Sequence, residues 1–309
     1  MNLKHAAAAL ALTSLVAAGA AQAAPKEITV AIASTFTTLD PYDASDTLSQ
    51  TASKSFYEGL FTFDKDMKVI DALATDYKVS DDGLVYTVPL RQGVKFPDGS
   101  EFQADAVKAN FDRVTNKANG LKRYMLYQNI EKTEVVDPYT VRFTLKKPFS
   151  SFINQLAHPA GVMICPSTLA NKTNKQIAFE PCGTGPYTLD KYNPSEGMRV
   201  VKNPNYWQAG VPKLEAINWK PVVENSTRVA MLLTGEAQFA FPLPAEQVKQ
   251  VQGKDQVRLD ITPSIILRYV EMNMSKKPFQ DKRVREAFNY AINKEALCKV
   301  AFAGYADPA

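Results

Sequence analysis

"VSDDGLVYTVPLRQGVKFPDGSEFQADAVKANFDR", residues 79–113, holds two hydrophobic periods side by side. Leu84, Tyr86, Val88 and Leu90 recur at every second position behind the Asp82-Gly83 pair, which predicts a strand leaving a tight turn. Pro89 denies that strand one ladder donor, so an edge position is expected for it. Further on, Val107, Phe111 and Val114 recur at helical spacing, with Asp105 suited to a helix's first turn. A strand followed directly by an amphipathic helix points to a mixed α/β fold.

Working outward, Ile28, Val30 and Ile32 alternate in the period of an opening strand. Pro41 and the Asp, Ser and Thr residues around it then read as a loop, and residues 51–59 as a helix ending at Gly59. On the other side, Val141, Phe143 and Leu145 alternate with polar residues in a half-buried strand. Gly183-Thr184-Gly185 before Pro186 and Tyr187 reads as a turn into a strand. Strands and helices interleave without strict βαβ repetition and without an internal repeat, so the class is α/β or α+β. Near the end, Asp281 is placed to cap a helix with Val284, Ala287, Phe288 and Ala291 on one face. Asn293 is placed to cap a second helix with Leu297, Val300 and Ala301 inward and Gly304 beyond its end. Both stripes call for a covering layer, and the chain is expected to be interrupted before that layer.

The 309 residues are 45% hydrophobic and 22% charged, which is the balance of a folded soluble protein large enough for two domains. A basic start at Lys4, an apolar run from Ala6 to Val16 and a small-residue site at Ala21-Gln22-Ala23 predict a signal peptide over 1–23, cleaved before Ala24. Cleavage removes one of 36 basic residues and none of 32 acidic ones, taking the net charge from +4 to +3. No basic block is dense enough for a nucleic-acid surface, so no nucleic-acid partner is expected. Cys165 and Cys182 could close a disulfide in an exported protein or remain buried thiols, and Cys298 is left over. His158 is the only histidine beyond the signal peptide, and no Cys-x-x-Cys spacing occurs, so neither a metal nor a cofactor is expected. No nucleophile elbow, zinc-binding helix, phosphate loop or dinucleotide fingerprint is present, and the chain is read as a non-enzyme.

Seven stretches in chain order resemble the extracytoplasmic solute-binding proteins of the peptide, nickel and opine ABC importers, family 5. They are Leu39-Asp40-Pro41, "YEGLFTFD", residues 79–113, "VVDPYTVRFTLKKPF", "CGTGPYTLDKY", "KNPNYW" and "VREAFNYAINKEAL". The resemblance runs from about residue 27 to the end. It implies a two-lobed periplasmic-binding-protein-like fold of type II, with the first lobe nearly complete over 24–262. Residues 263–309 would then be a crossing strand and the start of a second lobe that is mostly missing.

A finer resemblance, carried by "LKRYMLYQNI", "TGEAQFAFPLP" and "VAFAGYADPA", is to the subgroup that binds glutathione; Gln238, where many relatives carry Asp, fits it. This implies a periplasmic, monomeric protein that captures glutathione or a small peptide and delivers it to membrane permease subunits. The family alternatives are di- or oligopeptides, haem or a nickel chelate, and a hydrolase or chaperone is the reading from another class. A ligand with two carboxylates and an amine needs a guanidinium fork, hydroxyl donors and a carboxylate. The expected contacts are Phe36, Thr37, Thr38, Asp43, Ser45, Asp46 and Thr47 in one loop, then Arg123, Tyr124, His158, Arg268 and Tyr269.

Overall fold

The computed structural model describes residues 26–309 except 263 and 265. The expected signal peptide therefore lies outside the described residues, as do two positions of the expected crossing strand. A five-stranded sheet is built from β1 (Glu27–Ile32), β8 (Tyr187–Asn193), β9 (Gly197–Lys202), β10 (Ala216–Pro221) and β11 (Phe239–Phe241) in the order β11-β1-β10-β9-β8. β1 runs parallel to both β10 and β11, while β9 and β8 return antiparallel. β1 is covered on both faces. Val30 and Ile32 enter the main core, and Ala31 packs with Met231 and Ala237 on the side of α7 (Asn225–Thr234). An interior parallel strand of this kind has no polar face to show.

The stretch of residues 79–113 belongs to a four-stranded antiparallel sheet of β4 (Lys78–Val79), β5 (Val85–Pro89), β7 (Thr140–Leu145) and β6 (Ile130–Asp137), in that order. Gly83 makes the turn with φ +69°, a conformation that glycine adopts without a Cβ penalty. Against the sheet lies α2 (Ala104–Thr115), whose Val107, Phe111 and Val114 are fully buried, as are Val141, Phe143 and Leu145 opposite. Phe111 meets Phe143 edge to face at 5.0 Å between centroids, an arrangement in which ring edges meet the electron-rich faces. No side chain caps α2. Its first free amide, on Ala104, instead reaches Pro138 O at 2.9 Å.

Two expectations are corrected. β5 is interior, not an edge. β4 covers only its residues Tyr86 and Thr87, so the missing donor of Pro89 falls beyond the end of β4, where Pro89 O accepts from Thr75 N. The helix expected through Gly59 is α1 (Thr47–Ser53), and it stops earlier. From Ser55 onward the backbone is paired elsewhere: Ser55 O accepts from Tyr187 N and Phe56 O from Gly185 N, and the chain then enters β2 (Phe61–Phe63), which pairs with β3 (Val69–Asp71). A Cβ on Gly185 would lie 2.4 Å from Phe56 C, so the glycine is there to let two backbones touch. The described residues within 263–273 form no ladder with another strand, and Ile266, Leu267, Tyr269 and Val270 are exposed.

Cys165 and Cys182 are joined, with their Cα atoms 5.4 Å apart beside an antiparallel bridge between Ile164 and Gly183. The bridge closes an excursion carrying α5 (Pro166–Asn171) and α6 (Asn174–Ile177), and a loop of this size contributes about 3 kcal/mol by the chain-entropy argument. The closing helices α9 (Lys282–Ala291) and α10 (Lys294–Ala301) are capped by Asp281 and Asn293 as expected, and Gly304 has φ +83°. Neither helix has a buried residue.

Replacing Phe111 with Ala should lower stability by about 3–5 kcal/mol, since the ring is wholly enclosed and its cavity is ringed by other aromatics. Urea unfolding followed by far-UV circular dichroism measures this; a loss below about 1 kcal/mol would mean that α2 is not packed as described.

Candidate functional site

β1, β10 and β11 are parallel, so their carboxyl ends, Ile32, Pro221 and Phe241, lie along one edge of the sheet. In open sheets of parallel strands, ligands bind outside that edge, because the loops leaving it are free of ladder bonds. Three segments meet this condition here: 33–46, 222–224 and 242–244.

The first segment contains the expected loop. Asp46 caps α1 by accepting from Ser49 N at 2.8 Å, and also accepts from the Thr37 hydroxyl. Partial burial pushes its carboxyl up, but these bonds outweigh burial and hold it below the usual carboxylate range. Thr37 N donates to Ser49 Oγ at 2.9 Å. Phe36 is buried against Tyr192 and Trp219, and Thr38 is buried with its hydroxyl accepting from Asp40 N, so both act in the frame of the loop. Asp43 is half-buried and faces Lys122 Nζ at 3.9 Å, while Ser45 and Thr47 are exposed.

Behind the loop, a buried ion pair joins Asp40 to Arg113 through both guanidinium amines. Arg123 is fixed differently. Its backbone N donates to Tyr42 O and its Nε to Ala44 O at 2.8 Å, while its terminal amines make no hydrogen bond among the described residues. The fork is thus oriented by its stem and still open at its tip. Tyr124 follows it, half-buried, at the start of α3 (Tyr124–Tyr127). His158 Nδ1 accepts from Ala160 N at 3.0 Å, which leaves the ring proton on Nε2. Burial, and secondarily Arg123, lower its pKa to about 4, so the ring is neutral at physiological pH.

The structure therefore gathers loop 36–47, Arg123, Tyr124 and His158 in one region. Arg268 and Tyr269 stand apart on the exposed segment after 262, with Tyr269 78% exposed. A separate groove of about 820 Å³ runs along the free edge of β11, lined by Phe239, Phe241, Val251, Leu259 and Phe302; it contains none of the expected residues.

Sequence reasoning missed three features. Arg228, buried on α7, donates to Val222 O at 2.7 Å, Val223 O at 2.9 Å and Pro242 O at 3.2 Å, tying the other two carboxyl-end segments together. Strand order is needed to see that these segments share an edge, and the sequence alone does not supply it. Gln238 accepts from Thr29 N at 2.8 Å and donates to Gly235 O at 2.7 Å, so its amide is committed to backbone and works in the frame. Finally, Glu58 accepts from Tyr206 OH at 2.8 Å, Trp207 Nε1 at 2.8 Å and Thr184 Oγ1 at 3.0 Å. Burial pushes its carboxyl up, against these donors and the Arg91 charge.

The chain belongs to the bacterial extracellular solute-binding proteins of family 5, whose middle-region model matches residues 68–309. It is 60% identical over 302 residues to the glutathione-binding protein GsiB of Salmonella paratyphi A, covering 98% of this chain and 59% of that protein. Among solved structures, it is similar to the periplasmic binding protein DppA of Helicobacter pylori in complex with the peptide STSA, at a TM-score of 0.82 and 29% identity over 90% of this chain and 58% of that one. It also matches NikZ of Campylobacter jejuni in complex with Ni(L-His), at 0.78 and 26%, covering 91% of this chain and 56% of that one. The fold is the α/β periplasmic-binding-protein fold expected from the sequence, and the chain spans a little over half the length of these relatives.

Two pH responses follow. The His158 ring should titrate near pH 4, as read from imidazole NMR shifts; because its folded pKa lies below the unfolded value, it contributes stability above about pH 6.5 that is lost as pH falls through 4. Glu58 behaves oppositely, since its folded pKa is raised. The stability of the unmodified protein relative to E58Q should fall as pH rises above the ordinary glutamate range, and a difference that is flat with pH would mean the carboxyl is not desolvated.

Proposed function

We propose that the protein is the solute-capturing component of an ABC importer, exported to the periplasm, and that its ligand is glutathione. The observation that carries this is the 60% identity, over 98% of this chain, to a protein named for binding glutathione. The geometry supports it. Glutathione carries two carboxylates, and Arg123 presents two terminal amines in a plane suited to one of them, beside Ala44 of the loop that leaves β1. His158 Nε2 supplies a neutral donor, Asp43 and Asp46 supply negative charge for the α-amine, and the Ser45 and Thr47 hydroxyls are exposed for the remaining polar groups. Arg268 and Tyr269 join from the following segment when the ligand is enclosed. Enclosure converts occupancy into a shape that the permease subunits distinguish, because a ligand favours whichever state it contacts more.

The protein acts as a monomeric binder and not as an enzyme, and no nucleic acid takes part. Among the described residues no helix is long and apolar enough to cross a membrane. A second reading, a peptide or metal-chelate binder, is favoured by DppA and NikZ, which were solved with such ligands.

Calorimetric titration of the intact gene product with reduced glutathione, a dipeptide and a tripeptide separates the readings. Saturable heat from glutathione with silent controls supports the first; heat from the peptides alone discards it. Replacing Arg123 with Ala should weaken glutathione binding about 10- to 100-fold, the loss expected for a charge-assisted pair, with a smaller loss of thermal stability from the missing bond to Ala44 O.

A further inference from the structure

Two facts about the Cys165–Cys182 bridge stand side by side. Cys165 is wholly buried and Cys182 half-buried, so Cys182 is the more open side of the bridge to an incoming thiolate. The Asp98 carboxylate lies within 4.8 Å of both sulfurs. It is pinned there, accepting from Ser100 N at 3.0 Å, from the Ser100 hydroxyl and from the Ser167 hydroxyl. Burial pushes the Asp98 carboxyl up, but these donors prevail and keep it ionised.

We propose that Asp98 is an electrostatic guard that makes the bridge selectively resistant to anionic thiols. Exchange begins when a thiolate attacks Cys182 Sγ; the sulfur–sulfur bond breaks, and Cys165 leaves as a thiolate that takes a proton from water. A second thiolate then releases the mixed disulfide as a small-molecule disulfide, leaving both cysteines reduced. A fixed negative charge beside the sulfurs opposes this twice. It repels the approaching anion and disfavours the departing thiolate. The repulsion grows with the net negative charge of the attacker, so a thiol whose two carboxylates outnumber its ammonium group is hindered most, and one with an ammonium group and no carboxylate least.

The consequence reaches the ligand loop. The bridged excursion supplies Ala178 O to Leu39 N at 2.9 Å, and Asn174 Oδ1 to Arg113 Nη2 at 2.8 Å, behind the Asp40 ion pair. Opening the bridge would loosen the backing of the very loop proposed to hold a thiol. The guard lets a protein that concentrates such a thiol keep its own disulfide. This rests on the glutathione reading only for the choice of thiol. Failure of glutathione to bind would leave the reactivity contrast measurable.

The test is the rate of bridge opening, read by trapping new thiols with an alkylating mass tag after Cys298 has been blocked. Glutathione and cysteamine are compared on the unmodified protein and on D98N. Comparing variants for each thiol cancels the thiols' intrinsic reactivities. The substitution should accelerate opening by both thiols, because the departing thiolate is common to them, and by glutathione about two- to threefold more than by cysteamine. Equal acceleration of both thiols, or of neither, overturns the proposal. Should D98N not fold, salt on the unmodified protein decides. Raising ionic strength to about 1 M, where the screening length is about 3 Å, should speed opening by glutathione more than by cysteamine, and a salt-independent ratio overturns the guard.

Discussion

A carboxylate removed from water must find donors, and Glu58 finds three of them far along the chain. Thr184, Tyr206 and Trp207 all converge on its two oxygens, and Arg91 stacks 4.5 Å above the Trp207 ring. This knot sits where the backbone of Ser55 and Phe56 is paired with Tyr187 and Gly185, at a glycine with no room for a side chain. It thereby attaches the segment that leads into β2 to the strand β8 end of the large sheet. Losing Tyr206 leaves Glu58 Oε1 without a donor, whereas losing Glu58 strands three donors at once. The three stretches "YEGL", "GTGPY" and "NPNYW" are thus parts of one polar cluster.

That attachment also places the candidate site. Loop 36–47 leaves β1 and would be free to wander, but Asp40–Arg113 anchors its middle and the Asp46 cap secures its end. Arg123 joins it through Ala44 O. A buried ion pair of this kind costs desolvation and recovers it only with good geometry, so its main effect is to define one loop conformation over others. In the proposed binding role of Arg123, such a fixed stem would reduce the ordering that binding requires.

The parts legible in the sequence were those whose cause is local. Val107, Phe111 and Val114 announced α2, and Val141, Phe143 and Leu145 announced β7, because burial on one face imposes a period on the residues themselves. The caps Asp281 and Asn293 were readable because a cap acts over only three residues. Gly59 misled as a helix end, since the pairing that stops α1 comes from residues beyond 180. Pro89 misled as well, since the length of β4 and not the composition of β5 decides which donors are needed. In the site, the loop 36–47 was visible from its Asp, Ser and Thr content. The segments 222–224 and 242–244, and Arg228 which ties them, were not, because nothing in their composition tells which strands are neighbours.

By itself, then, the sequence determined the α/β class, the amphipathic elements, the family, and the residue types from which a carboxylate-binding site can be made. Each of these is written in periodicity or in motifs that stand close along the chain. Only the tertiary structure decided that Cys165 is bonded to Cys182, that Asp98 stands beside them, that Gln238 is spent on backbone, and that the Arg123 terminal amines make no hydrogen bond among the described residues. Such decisions depend on distances between residues far apart in sequence. Those distances follow from strand order and from the burial of groups like Glu58, which acts on the chain as a whole.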